Sequence, residues 1–160
     1  RSAIEAIASF SCGFGRMEQF DLGGHSARII LVKNPAGCNQ VINYLTGLYE
    51  KTVFVCCLND NSADGKDVSW IWDVNFEKLT DMFDLIPEIY VSGIRATDMA
   101  LRLKYAGIDE KKLSIFGDYD ELIKAMTDQP LPVIIMPTYT SMMELRAKMS
   151  SAFGGKDFWE

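Results

Sequence analysis

The chain alternates short apolar runs with segments whose apolar residues recur every three or four positions. Residues 52–58, Thr-Val-Phe-Val-Cys-Cys-Leu, form a continuous run of the kind buried on both faces of a parallel sheet. Residues 88–92, 113–116 and 133–136 read as further short strands. Between these runs, Val41, Ile42, Leu45 and Leu48 have helical spacing and predict a helix over 36–49. Residues 76–85, 96–106, 120–126 and 142–149 read as helices in the same way, with Gly107 ending the second of these. Ser141 and Glu144 have the S-x-x-E spacing of a capping box for the last. Near the start, 1–10 reads as a short helix. Residues 16–20 and 27–32 read as strands joined by a Gly23-Gly24 turn.

Strands alternating with helices of about 10 to 15 residues predict an α/β fold, a mostly parallel sheet with helices on both faces. The Gly-Gly hairpin adds an N-terminal β-hairpin to it. Nothing in the pattern marks a second core, a linker or a repeat, so the 160 residues are expected to form one domain. In such sheets ligands bind outside the carboxyl ends of the strands. Here those ends are 33–37, 59–67, 93–95, 117–118 and 137–140, where polar, Gly and Pro residues collect.

Composition narrows the function. With 48% hydrophobic and 24% charged residues the chain is no disordered segment, and its net charge of -6 argues against a nucleic-acid surface. No apolar run reaches the roughly 18 residues of a membrane span, and residues 1–10 do not read as a signal peptide. Cys12, Cys38, Cys56 and Cys57 include no C-x-x-C spacing, which argues against a zinc site. They are expected to be buried, reduced thiols, which suggests the cytoplasm. His25, the single histidine, falls in the glycine turn and is expected to be exposed to solvent. A Cys–His reaction centre would therefore have to be completed by another chain.

Several nucleotide and metal motifs fail. Gly154-Gly155-Lys156-Asp157 is a fragment of a P-loop pattern, and Gly13-Phe14-Gly15-Arg16 lacks the third glycine of a dinucleotide fingerprint. Asp60 to Gly65 starts like a calcium loop, but its twelfth position is Ile71 where a bidentate Glu is needed. The segment 59–73, Asn-Asp-Asn-Ser-Ala-Asp-Gly-Lys-Asp-Val-Ser-Trp-Ile-Trp-Asp, remains the richest. It sets four acids beside two tryptophans whose spacing is strand-like and would put both rings on one face. One reading is a polar crossover anchored by buried tryptophans, its carboxylates forming turns. The other is a carboxylate that orients a histidine in a nucleophilic triad, the histidine coming from a partner.

Gly13 to Glu18, Val32 to Gly37, Leu58 to Asp73, Ser92 to Ala96 and Pro137 to Ser141 occur in the order found in MurT proteins. On these motifs the chain resembles the C-terminal domain of the MurT family, the Mur-ligase-like subunits of lipid II isoglutaminyl synthase. The resemblance covers nearly all 160 residues and implies a Rossmann-like Mur ligase C-terminal fold. It also implies that the ATP-binding central domain, with its P-loop and zinc ribbon, lies outside this chain. Zinc is expected only there, and ATP and Mg²⁺ are expected to be bound mainly there.

The same resemblance implies the chemistry. The family pairs with a GatD-like glutaminase that supplies the nucleophilic Cys and the His. An Asp that follows D-G-[RK] and precedes x-S-W completes the triad across the interface, which places it at Asp67. Ammonia from glutamine would then amidate the α-carboxyl of D-Glu in the lipid II stem peptide, at the inner face of the bacterial membrane. In the wider Mur ligases the arginine of the Gly-Arg motif lies near the nucleotide ribose, which suggests Arg16. The loop before Asn-Pro faces the ligase site, which suggests Lys33 and Asn34 as cofactor contacts. Where amino-acid-adding Mur ligases carry D-Y-A-H before Asn-Pro, this chain has Ile30-Leu31-Val32-Lys33. A non-catalytic docking module for the glutaminase and a conventional amino-acid-adding Mur ligase are the alternative readings.

Overall fold

The computed structural model describes residues 17–154; the helix expected over 1–10, Cys12 and Arg16 lie outside them. The described chain opens with an antiparallel hairpin, β1 (Met17–Asp21) and β2 (Ser26–Ile30), followed by α1 (Pro35–Thr46) and β3 (Val53–Cys57). Two 3₁₀ helices, Ser69–Asp73 and Phe76–Met82, lead to β4 (Ile89–Ser92) and α2 (Ala96–Tyr105). A 3₁₀ turn, Glu110–Lys112, precedes β5 (Leu113–Ile115), α3 (Tyr119–Asp128), β6 (Val133–Pro137) and α4 (Tyr139–Phe153). The strands form one six-stranded sheet in the order β1-β2-β6-β3-β4-β5, antiparallel between β1 and β2 and parallel elsewhere.

The apolar runs sit where their patterns require. Successive residues of a strand face opposite sides, so a strand buried on both faces must be apolar throughout. In β3, Phe54 and Cys56 enter one core with α1, α2 and the 3₁₀ segment, while Val53, Val55 and Cys57 enter the other with α3 and α4. The chain steps from β2 to β3, β4 and β5 in one direction, then returns through α3 to β6. If each crossover keeps the usual right hand, reversing direction moves the helix to the opposite face. That is the distribution of helices between the two cores.

The three described thiols, Cys38, Cys56 and Cys57, are buried, as expected. Burial pushes the Cys57 thiol up to about 12 and raises the other two as well. With Cys12 replaced by serine, a water-soluble thiol reagent is expected to label none of the three in the native protein and all three after unfolding. Fast native labelling at any of them would contradict this packing.

Some boundaries differ from the sequence pattern. Helix α1 stops at Thr46, and Tyr49 adopts φ 51, so the helical spacing of 36–49 overruns the helix by three residues. Residues 76–82 are 3₁₀ rather than a longer α-helix. His25 is not a free turn residue: it is half-buried and its Nε2 lies 2.9 Å from the carbonyl of Met126. A carbonyl can only accept, so Nε2 carries the proton and ties the hairpin to the end of α3. The hairpin turn places His25 just before β2, at the amino edge of the parallel strands.

Candidate functional site

At the carboxyl edge the chain leaves β3 and β4 toward one helical layer and β5 and β6 toward the other. Asn59, just after β3, holds this divergence together. Its backbone N–H donates to the Thr138 hydroxyl (3.0 Å), its side-chain amide donates to the Thr140 hydroxyl (2.8 Å), and its Oδ1 accepts from the Ile94 N–H (2.8 Å). The ends of β3, β4 and β6 are thereby tied to a single buried side chain. Gly93 permits the close approach. Its φ is +99, and an added Cβ would stand 2.5 Å from the Leu58 carbonyl oxygen, a backbone atom that cannot move aside.

The loop carboxylates divide by what they touch. Asp60 accepts from Arg95 Nη1 (3.2 Å), and Arg95 Nε in turn donates to Asp98 (2.6 Å). Asp64 accepts from the Thr140 N–H (2.7 Å), the Thr140 hydroxyl (2.5 Å) and the Asn61 N–H (3.1 Å). Thr140 is the second residue of α4, so Asp64 caps that helix from a distant loop. This replaces the expected Ser141–Glu144 box: α4 starts at Tyr139, and Ser141 is buried against the Tyr119 hydroxyl at 2.6 Å. Asp64→Ala is expected to lower stability by about 1–2 kcal/mol, the usual cost of losing a helix cap. An unchanged urea midpoint would rule the capping role out.

Asp67 is different. It is exposed, and its Oδ1 accepts only within its own loop, from the Ser69 N–H at 2.8 Å. The Ser69 hydroxyl and amide hold its carboxyl below the usual range, so it is ionised at neutral pH. That local turn starts the 3₁₀ helix Ser69–Asp73 and overturns the expectation that both tryptophans share one face. At three residues per turn, positions two apart point about 120° away from each other. Ile71 is the buried anchor at 1% exposure, while Trp70 is half-buried and Trp72 is 47% exposed.

Arg102 of α2 anchors the segment from beneath. It is 3% exposed, and it donates to the carbonyls of Ile71 (2.9 Å) and Val74 (2.7 Å) and to Glu77 (2.9 Å). Sequence reading passed over this residue. The signal was present, because Arg102 falls three residues after Met99 and four before Ala106, both buried, so it is a charge on the apolar stripe of its helix.

Lys33 and Asn34 lie at the carboxyl end of β2, about 10 Å from β3 by two strand spacings. Lys33 is exposed. Asn34 Oδ1 accepts from the Gly37 N–H (2.9 Å) and caps α1, with Pro35 in the first turn. Its oxygen thus shapes the turn that presents Lys33. A cavity of about 340 Å³ opens on the α3–α4 side, between the ends of β3, β4 and β5. Asp118, Asp120 and Glu144 line it against one lysine, Lys148, which already pairs with Asp120 at 3.1 Å. These acidic walls do not suit a phosphate.

The fold is similar to that of a folylpolyglutamate synthase from Thermotoga maritima. The match has a TM-score of 0.56 at 17% identity and covers 87% of this chain and 31% of that one. At that identity the likeness concerns the fold. The family description "MurT ligase C-terminal" matches residues 31–142, a span that holds Lys33, Asn34, Asp67 and Arg102. The chain belongs to the MurT ligase C-terminal family. Two MurT relatives agree with the assignment, both named lipid II isoglutaminyl synthase (glutamine-hydrolyzing) subunit MurT. The one from Streptococcus pneumoniae is 37% identical over 139 residues, covering 86% of this chain and 31% of its own length. The one from Staphylococcus aureus strain COL is 38% identical over 141 residues, covering 88% and 32%. The chain thus spans about a third of the length of the curated MurT relatives it matches. Among the described residues, no helix is long and apolar enough to cross a membrane.

Proposed function

We propose that this chain is one domain of a larger MurT ligase subunit, in which Asp67 serves as the triad acid of a separate GatD-like glutaminase. The observation that carries this reading is the division of labour among the loop acids. Asp60 and Asp64 are engaged by Arg95 and Thr140, and Asp73 lies at the far end of the 3₁₀ helix. Asp67, by contrast, is exposed and held in its ionised form on the loop itself. Its neighbours fix it on a short loop pinned to the buried Ile71 and Arg102. An anion so placed can accept from an imidazole Nδ1–H of a partner, hold the tautomer and stabilise the imidazolium.

Among the described residues, the histidine and the thiols support a partner as the source of the nucleophile. His25 is committed to the Met126 carbonyl at the opposite edge of the sheet. The thiols of Cys38, Cys56 and Cys57 are buried and pushed up, far from thiolate character. The partner's Cys would release ammonia from glutamine. In the ligase, ATP would convert the α-carboxyl of D-Glu in the lipid II stem peptide to an acyl phosphate. Ammonia would displace phosphate to give D-isoglutamine, on the cytoplasmic side of the membrane. ATP and Mg²⁺ would be held mainly by a central domain outside these residues. Exposed Lys33, presented by the Asn34 cap, would add a positive charge at the closing cleft, and Arg16 would approach the ribose.

The test is Asp67→Asn in the complete ligase subunit mixed with its glutaminase. The complex is expected to form and to amidate with free ammonia, but not with glutamine. Glutamine hydrolysis at the normal rate would exclude the triad role. Loss of the complex would make 59–73 a docking segment instead.

A further inference from the structure

Just beyond Asp67, the surface carries an apolar strip that the fold leaves in water. Trp72 is 47% exposed, Leu101 45% and Tyr105 72%. Leu101 and Tyr105 are one turn apart on the outer face of α2, and the Tyr105 ring meets the Trp72 ring edge to face at 5.5 Å. The Arg102 guanidinium lies under Trp72, 5.2 Å from the ring centroid. The indole is therefore held from two sides and does not have to be ordered when something covers it. Phe83, another exposed aromatic, already has a cation over its ring, the Lys112 ammonium at 3.3 Å.

We infer that the Trp72–Tyr105–Leu101 strip is the surface on which the glutamine-hydrolysing subunit docks. The inference rests on the reading of Asp67 as that subunit's triad acid. Continuity of the surface argues for it. Two residues of chain and three of 3₁₀ helix put Trp72 within about 15 Å of Asp67. A standard interface of about 800 Å² per partner has a radius of roughly 16 Å. An interface of that size that includes Asp67 and is centred toward α2 therefore covers Trp72. A rigid Trp and Tyr backed by an Arg are the residue types that carry most binding energy at such centres.

Charge selects the partner over a second copy of this chain. A two-fold interface sets a surface against itself, which would bring the exposed carboxylates of Asp67 and Asp73 near their own copies. The fitting occupant has an apolar patch for Trp72 and Tyr105, rimmed by Lys or Arg and placed beside its active-site histidine.

Calorimetric titration of the complete ligase subunit with its glutaminase tests this. Trp72→Ala is expected to raise Kd about thirtyfold, as for a central aromatic anchor, and Trp72→Phe to recover most of that loss. Leu101→Glu, on the outer face of α2, should weaken binding comparably without touching the core. Tyr49→Asn, an exposed aromatic between α1 and β3 and outside the strip, should leave Kd unchanged. If Trp72→Ala and Leu101→Glu both bind within about threefold of the parent, the strip is not the docking surface. If they dissolve a homodimer and leave glutaminase binding intact, the strip belongs to a second copy and the inference falls. Asp67→Asn separates the two readings. Normal glutamine hydrolysis in that variant removes the triad role, while weakened binding in Trp72→Ala would still establish the docking surface.

Discussion

Glutamine hydrolysis by the assembled complex is expected to fall by roughly 10³ to 10⁴ when Asp67 becomes asparagine, the scale on which a triad loses its oriented acid. The substitution preserves shape and removes charge. Asparagine can still accept from the Ser69 N–H, as Asp67 does at 2.8 Å, so the loop is expected to keep its turn. It cannot stabilise an imidazolium, and its amide can turn an N–H toward the histidine and favour the wrong tautomer. The loss should appear in kcat of glutamine hydrolysis, with the Kd of the complex and the ammonia-dependent amidation rate little changed. A fall of less than tenfold would count against the triad.

The pH dependence follows from the sign of the Asp67 shift. Hydrogen bonds from the Ser69 hydroxyl and amide lower its pKa, so the ionised form persists until pH drops through that lowered value. Between about pH 5.5 and 8 the carboxylate therefore stays charged. The acid limb of the hydrolysis profile should report the partner's imidazole instead, whose unperturbed pKa is about 6.5.

The second large effect is on stability. Arg102→Met keeps most of the side-chain stem but strips the donor from the buried Val74 carbonyl and leaves that of Ile71 only the long Val74 N–H contact at 3.4 Å. An unmet buried acceptor costs about 1–3 kcal/mol and the weakened one less, so a total near 3 kcal/mol is expected. Glu77, the third partner, is half in water and regains hydration, so it adds little. For a domain of this size the loss corresponds to a fall in Tm of roughly 6–12 °C. Urea unfolding checks it directly, and a loss below about 1 kcal/mol would mean that waters or neighbours satisfy both carbonyls. Arg102→Lys should fall between the two, because one ammonium cannot reproduce the fork that reaches two carbonyls. Both variants should also weaken glutaminase binding, since Arg102 supports the Trp72 ring at 5.2 Å.

The fold was legible because it depends on patterns that are local in the chain. The run over 52–58 has no polar side to show water, so it can only be a central strand, and β3 is buried from end to end. The helices failed mainly at their ends. The start of α4 was misplaced because its cap, Asp64, comes from the loop after β3, more than seventy residues earlier. No local motif can announce such a cap.

The site was half legible. Asp67 was singled out by the order of residues around it, and the loop's acids were visible as a cluster. Their separation into engaged and free carboxylates was not. Asp60, Asp64 and Asp67 are the same chemical group within eight positions, and only packing brings Arg95 to the first and Thr140 to the second. The tryptophans were misread for a related reason. A spacing of two suggests a strand, but the Asp67–Ser69 turn starts a 3₁₀ helix, whose Ile71 carbonyl and the Val74 carbonyl after it Arg102 holds from α2.

The sequence by itself determined the sheet, its two buried layers and the placing of polar loops at one edge. These follow from hydrophobic periodicity, which each segment carries alone. The tertiary structure decided which loop carboxylates distant residues engage, which aromatic rings stay in water and where α4 begins. Each of those depends on a hydrogen bond between residues far apart in the chain, and such a bond exists only once the sheet has brought them together.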